Sequence, residues 1–458
     1  MNYMDRKYKL GMALTLHGYR IPKEGYDIKS LRKRLTVKPV IPTVFVPSNR
    51  VPKYPIYHES EEFLYLPKSF GIAEFGEPAI TTRDVQCTPD RYWEFRGGLR
   101  PQQEEVVNAY LKPAPHDGIL SLATGGGKTV CALYIAAQLK LPTLIIVHNT
   151  FLYDQWCDRI RVFLPHVRIG KLQGETVDVD DRDVVIAMLQ SLSMKTYPVE
   201  TFRKIGLVVV DECHHIASEV FVQAIPKITS KHMLGLSATP IRKDGLMFVM
   251  EWVLGPILYK SEAADTEDPL IRVEVYDFKS DDAEFLEIVY NSQGVMSVAN
   301  MVNKLTAYEP RTRLIAEIIQ DIVRTSNRQI LVLSDRVQHT KDILRTLPDD
   351  VRAKSAILST DVKSAQRAEY CANRKVLIAT YAMCKEGFDV ASLNTLVIAT
   401  PRPDVDQIVG RILRVEKSAR TVHPLIVDIV DAQFKRQFQH RLALYNKRKY
   451  TIEKMALE

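Results

Sequence analysis

Six cysteines occur in 458 residues, and no two stand in a C-x-x-C pair. Cys87, Cys131, Cys157, Cys213, Cys371 and Cys384 are scattered, so neither a disulfide framework nor a zinc ribbon is indicated. That scatter points to a reducing, intracellular setting. No apolar run approaches the roughly 20 residues that a bilayer span needs. The opening residues, MNYMDRKYKL, hold no apolar signal core, so no secretory leader is expected. Short-period repeats and low-complexity tracts are also missing. Acids are scarce at one end only: residues 1–58 hold three, Asp5, Glu24 and Asp27, against twelve lysines and arginines. The net charge of +7 is therefore concentrated there. Such a segment fits a phosphate backbone, or is simply a solvated basic surface.

The rest of the composition is that of an ordinary globular protein, 46% hydrophobic and 26% charged. The length implies two to four domains at roughly 100–200 residues each. Pro39, Pro42, Pro47, Pro52 and Pro55 argue against a helix in residues 1–58. YPIYHESEEFLYLP (54–67) alternates enough for one or two strands. From about residue 93 the pattern changes. GILSLA (118–123), TLIIVH (143–148), DVVIAM (183–188), GLVVVDE (206–212) and MLGLSAT (233–239) are continuous apolar runs between helical stretches such as KTVCALYIAAQL (128–139). QILVLSD (329–335), KVLIAT (375–380), TLVIAT (395–400) and PLIVDIV (424–430) repeat the pattern, with a helix expected near 338–347. Runs of this kind form parallel sheets covered on both faces. The expected fold class is α/β: two successive parallel-sheet domains behind a basic accessory domain of mixed, α+β character. The expected boundaries are 1–92, 93–262 and 263–458.

LATGGGKTV (122–130) lies between an expected strand and an expected helix. In the pattern G-x-x-x-x-G-K-[ST] its first glycine would fall at 122, where the chain has Leu122. Thr124, Gly125, Gly126 and Gly127 could still bring backbone N–H groups against phosphates, with Lys128 pairing the β/γ-phosphates and Thr129 binding Mg²⁺. A glycine-rich turn is the alternative. VVVDECHH (208–215) places two acids at the end of an apolar strand. Asp211 could hold Mg²⁺, largely through water, and Glu212 could orient and deprotonate an attacking water. An acidic helix cap is the other reading. His214 and His215 have no partner spacing that supports a metal site. In QIVGRILR (407–414), Gln407, Arg411 and Arg414 fall at helical spacing, on one face. The two arginines could serve as an arginine finger, or the residues could be the basic side of a surface helix.

Together and in this order, the segments resemble a superfamily 2 helicase with a DExH box, of the XPB/UvsW-like group. The resemblance runs from about residue 98 to the C-terminus. GLRPQQ (98–103) resembles that group's adenine-sensing motif, which implies nucleotide contacts from Arg100 and Gln103. LATGGGKT matches motif I, whose first position is often not glycine in this group. VHNTFLYDQW (147–156) resembles motif Ia, AMLQSL (187–192) the Ib/Ic region, DECH (211–214) motif II and SATPIRKDG (237–245) motif III with an R-x-D-G turn. LVLSDR (331–336), ATYAMCKEGFDV (379–390) and QIVGRILR resemble motifs IV, V and VI. IYHESEEFLYLPKSFG (56–71) and RLALYNKRKYTIEKM (441–455) are similar to segments of helicases from large cytoplasmic DNA viruses, a set that includes the poxvirus helicase implicated in transcript release.

The resemblance implies two RecA-like domains that hydrolyse Mg-ATP and move along DNA, single-stranded or duplex, by closing and opening. Lys128, Asp211, Glu212, His214, Gln407, Arg411 and Arg414 would carry catalysis, with Gly387 and Asp389 near the nucleotide. Asn149, Thr150, Gln190, Ser191, Ser334, Asp335 and Thr380 would line the strand groove; they are mostly polar and uncharged, which suits phosphate positioning. His214, Ser237 and Thr239 would couple hydrolysis to movement. Repair, recombination and transcription are the settings implied, with transcription or replication machinery as partners and the cytoplasm, a viral factory or a virion as location. Three alternatives remain: a double-stranded-DNA translocase that never separates strands, an RNA-directed DExH enzyme acting on RNA or RNA–DNA hybrids, and a binding module on an inactive motor fold.

Overall fold

The computed structural model describes residues 11–39, 53–78, 80–81, 85, 92–122, 125–215, 224–238, 245–261, 267–359, 361–385, 390, 392–415 and 417–456. Thr124, Thr239, Gly387, Asp389, Cys87 and much of the basic N-terminal run lie outside the described residues. The chain forms two compact units, Met1–Glu262 and Ala263–Glu458.

The first unit opens with short strands: β1 (Ala13–Thr15), β2 (Gly18–Pro22), β3 (Thr36–Val37), β4 (Tyr54–Pro55), β5 (His58–Glu59), β6 (Phe63–Leu66) and β7 (Ile80–Thr81). β3 pairs with β4, and the others form one sheet in the order β5-β6-β2-β1-β7. Contrary to the proline argument, a helix stands here, Ile28–Arg34, with the Asp27 carboxylate accepting the Ser30 N–H at 3.0 Å. All five prolines cited against it lie beyond residue 38, so residues 28–34 keep every N–H they need. The Lys68–Phe75 helix then packs on the Met247–Leu254 helix, with Phe70 edge-on to Trp252 at 5.0 Å between centroids. Tyr19 is fully buried, and its hydroxyl donates to the Gly76 carbonyl at 2.9 Å. Gly71 lies flat on that ring: a Cβ there would stand 2.2 Å from Tyr19 Cγ.

The sheet beneath is built of β8 (Gly118–Ser121), β9 (Thr143–Val147), β10 (Ile169–Gln173), β11 (Thr176–Asp178), β12 (Val184–Met188), β13 (Leu207–Val210), β14 (His232–Ser237) and β15 (Ile257–Lys260). Their order is β11-β10-β12-β9-β13-β14-β8-β15, with β11 antiparallel and every other pairing parallel. β8, β9, β12, β13 and β14 are buried on both faces, which is why most of them read as unbroken apolar runs, whereas β10, β11 and β15 keep exposed or half-buried positions. One apolar cluster runs from Tyr19, Leu64 and Phe70 into Ile119, Val208 and Leu254, so the N-terminal sheet and the parallel sheet share a core. Lys68 pins the two together. Its buried ammonium meets the Asp117 carboxylate and the carbonyls of Ser230 (3.2 Å) and Lys231 (2.6 Å), just ahead of β8 and β14. Burial raises the Asp117 carboxyl above its ordinary range, and Lys68 offsets part of that rise.

The second unit holds a wholly parallel sheet of β16 (Arg272–Phe278), β17 (Ile330–Ser334), β18 (Ser355–Leu358), β19 (Val376–Thr380), β20 (Thr395–Ile398), β21 (Leu425–Asp431) and β22 (Thr451–Met455). The order is β18-β19-β17-β20-β21-β16-β22. The expected helix near 338–347 spans Val337–Thr346. Two acids on β21 are buried, and each has its own arginine: Asp431 with Arg311 at 2.7 Å, Asp428 with Arg441 at 2.8 Å. Tyr445 adds a hydroxyl to Asp428 at 2.9 Å. Buried charges persist only when matched this way.

Candidate nucleotide site

β8 delivers the glycine loop at the carboxyl edge of the first sheet. Leu122 is buried, and its N–H donates to the Ser237 carbonyl at 3.0 Å, extending the pairing of β8 with β14. A leucine there is core, and nothing about the position calls for glycine. The left-handed positions come later, at Gly125 (φ +86°) and Gly127 (φ +83°). Gly127 precedes the Lys128–Leu139 helix, and a Cβ on it would lie 2.0 Å from Gln103 Nε2. Gln103 is 6% exposed. Its Oε1 accepts the Arg100 N–H at 2.9 Å, closing the first turn of the Pro101–Leu111 helix, and its Nε2 reaches the Gly126 carbonyl at 3.5 Å. In this geometry Gln103 buttresses the loop; both ends of the amide expected to read adenine are turned to the protein.

The second element is the end of β13. Asp211 continues that strand by donating its N–H to the Ile146 carbonyl at 3.1 Å. Glu212 then turns the chain with a left-handed φ of +47°, rare for a residue with a Cβ. Lys128 Nζ meets Glu212 Oε1 at 3.1 Å, and Glu212 Oε2 lies 3.3 Å from His214 Nδ1. His214 Nδ1 is in turn 3.4 Å from the Ser237 hydroxyl. A line of polar contacts therefore runs from the glycine loop through the acid that follows β13 to the end of β14. Burial alone would raise the Glu212 carboxyl, but Lys128 and His214 outweigh it and hold it well below the ordinary range. Asp211 goes the other way, pushed up by burial and by the neighbouring Glu212 charge. Its two oxygens are both held, Oδ1 by the Glu212 N–H at 3.0 Å and Oδ2 by Trp156 Nε1 at 2.8 Å.

The other expected residues divide. Thr129 is half-buried in the first helical turn behind the loop. Asn149 caps the Thr150–Phe163 helix, its Oδ1 accepting the Leu152 N–H at 2.8 Å, and Thr150 beside it is exposed. Gln190 is exposed, whereas the Ser191 hydroxyl accepts the Gly174 N–H at 2.9 Å. In the second unit Ser334 is fully buried, 2.9 Å from His339 Nδ1, so its side chain offers no surface to a strand. Asp335 accepts from Arg402 at 2.7 Å, and Thr380 caps Met383 at 3.3 Å. Gln407 lies in a short helix, Asp406–Val409, that tightens into a 3₁₀ turn over Gly410–Ile412; Arg411 is in that turn and Arg414 beyond it. The single α-helical face expected for the three does not form, because Gly410 favours the helix poorly and 3₁₀ winding changes the phase. Trp156 and Arg402 were not singled out in the sequence. A tryptophan on the buried stripe of a helix reads as packing until its ring N–H is seen on a carboxylate.

Residues 96–242 match the family model described as the type III restriction enzyme res subunit. A mimivirus protein, provisionally named an ATP-dependent RNA helicase, is 31% identical over 457 residues, covering 96% of this chain and 86% of that protein. The chain belongs to the superfamily 2 helicases of large DNA viruses. An African swine fever virus relative with the same provisional name is 26% identical over 86% of this helicase and 82% of itself. The fold is also that of S. cerevisiae Dbp5 bound to RNA and ADP BeF3, with a TM-score of 0.57 at 14% identity, over 80% of the helicase and 94% of Dbp5. Both sheets of the helicase are thereby RecA-like α/β layers. No described helix is long and apolar enough to cross a membrane.

Proposed function

We propose that this helicase hydrolyses Mg-ATP at the loop 124–129 and spends the energy on movement along a nucleic-acid strand, DNA in the first reading, with strand separation or remodelling of nucleic-acid complexes in repair, recombination or transcription. One observation carries the reading: Lys128, Glu212, His214 and Ser237 form a continuous polar line at the carboxyl edge of the parallel sheet, where α/β folds bind nucleotides. ATP phosphates would draw Lys128 away from Glu212. Glu212, released from that pair and still beside His214, would accept the proton of the attacking water. His214 and Ser237 would pass the change to β14.

Thr129 and Asp211 offer a hydroxyl and a buried carboxylate beside a second acid, hard oxygen donors that suit Mg²⁺. Among the described residues no group of three or more His, Cys, Asp or Glu is placed to hold a metal ion by itself, and a metal shared with phosphates needs none. Mg²⁺ bound with ATP supplies charge neutralisation at the phosphates. Arg411 and Arg414 are assigned the arginine-finger role, with Gln407 beside them on the nucleotide, and Asn149, Thr150 and Gln190 the strand contacts. The N-terminal segment, 1–92, adds affinity through its basic residues, ahead of motor regions at 93–262 and 263–458.

An RNA-directed activity is the second reading, favoured by the RNA helicase names of the mimivirus and African swine fever virus relatives. ATPase and unwinding assays over single-stranded, duplex and forked DNA, RNA and RNA–DNA hybrid separate the two. Stimulation by DNA supports the first reading and stimulation by RNA alone the second. Turnover that no strand accelerates would sink both.

A further inference from the structure

The Thr150–Phe163 helix carries a buried stripe of Leu152, Trp156 and Ile160, one residue per turn. Any large apolar side chain would fill the middle position. Trp156 differs in having a ring donor, and that donor lies 2.8 Å from Asp211 Oδ2. Trp156 is 1% exposed and Asp211 9%, so water does not compete for the bond. With Oδ1 on the Glu212 N–H, the carboxylate is fixed at both oxygens and cannot rotate freely. The helix begins at Asn149 and Thr150, the residues assigned to the strand, and six residues of helix are about 9 Å of rigid rod.

We propose that Trp156 is a positioning residue: its indole N–H orients the Asp211 carboxylate for Mg-ATP and ties that orientation to strand contact at the start of the same helix. The proposal rests on the reading of Asp211 as the Mg²⁺ ligand. A hydrogen bond to a charged group, taken out of a dry site, changes an equilibrium by roughly tenfold or more.

The test uses the full chain with Trp156→Phe, which keeps the ring and removes the donor. Affinity for a fluorescent ATP analogue is measured in EDTA and across a Mg²⁺ titration, with ATP turnover read with and without a single-stranded oligonucleotide. The variant should bind the nucleotide in EDTA as the wild type does. It should lose about tenfold of the Mg²⁺-dependent gain in affinity, with a lower kcat, a smaller fold-stimulation by the oligonucleotide and an unchanged oligonucleotide Kd. A full Mg²⁺ gain in the variant overturns the proposal. No Mg²⁺ gain in the wild type instead overturns the reading of Asp211. Should the variant not fold, wild-type tryptophan emission decides. Adding Mg²⁺ to the ATP-bound wild type should shift it, and Asp211→Asn should abolish the shift; an unmoved wild-type signal overturns the proposal.

Discussion

At the scale of single residues, Lys128 and Glu212 form an ion pair at 3.1 Å beside the glycine loop. Lys128→Ala should abolish turnover while the folded state survives, since only one partly exposed ion pair is lost. Arg414→Ala should retain ATP binding and lose hydrolysis. The pair is checked by nucleotide titration beside phosphate release, and equal loss of binding and hydrolysis in Arg414→Ala would reject the finger assignment. His339 makes a separate prediction about stability. It sits between Ser334 at 2.9 Å and Thr312 at 3.3 Å, and burial, with the nearby Arg311 charge, pushes its pKa down to about 3. An unfolded histidine titrates near ~6.5. Between those values the unfolded chain binds a proton that the folded chain refuses, so stability is full above that range and falls as pH drops through it. At pH 5 the loss should be about 2 kcal/mol. In His339→Gln this acid-side slope should flatten, as followed by thermal melts from pH 7 to pH 5; an unchanged slope rejects it. At this scale the sequence marked Lys128 and Glu212 as belonging to one site, and the structure brings the two side chains together. Where the role depends on a neighbour it misled or was silent: Gln103 and Ser334 were expected on ligands but turn onto Gly126 and His339, and nothing marked Trp156 as aimed at Asp211.

At the scale of elements, the parallel strands were legible because burial on both faces leaves an unbroken apolar run, and the structure puts β9, β12, β13, β17 and β21 where those runs lie. The 3₁₀ turn over Gly410–Ile412 was not legible, since a spacing of four then three fits either winding. Neither was the Ile28–Arg34 helix, because prolines beyond it were weighed as if they stood within it. The Lys68–Phe75 helix shows how close packing can hang on one small residue. Gly71→Ala would drive a methyl into the Tyr19 ring, which is fully buried and held through its hydroxyl. Overpacking of this kind costs about 1–3 kcal/mol. Chemical denaturation should show that loss in the transition of the first unit alone, and an unchanged midpoint would mean that the ring moves aside.

At the scale of the whole molecule, the expected accessory segment and the first parallel sheet fall within one compact unit with a continuous apolar cluster. Deleting residues 1–92 would expose Trp252 and the face of the Met247–Leu254 helix, and would leave Asp117 buried without its lysine. Removing one member of a buried ion pair costs about 3–5 kcal/mol. The truncated chain should therefore aggregate or melt well below the full one. A soluble 93–458 product with an unchanged melting temperature would show the segment to be a detachable module. Lys68 also places that packing at the amino edge of the sheet, the end opposite the glycine loop.

β16 belongs to the opening of the second unit, yet its partners are β21 and β22, which come about 150 residues later or more. On the ribosome the first unit can complete while this strand is held open. The second sheet must wait for nearly all of its sequence before its first strand is covered on either side. A nascent chain stalled near residue 420 should thus yield a protease-resistant first unit and a degraded second one. Equal resistance of both would mean that β16 finds other cover during synthesis.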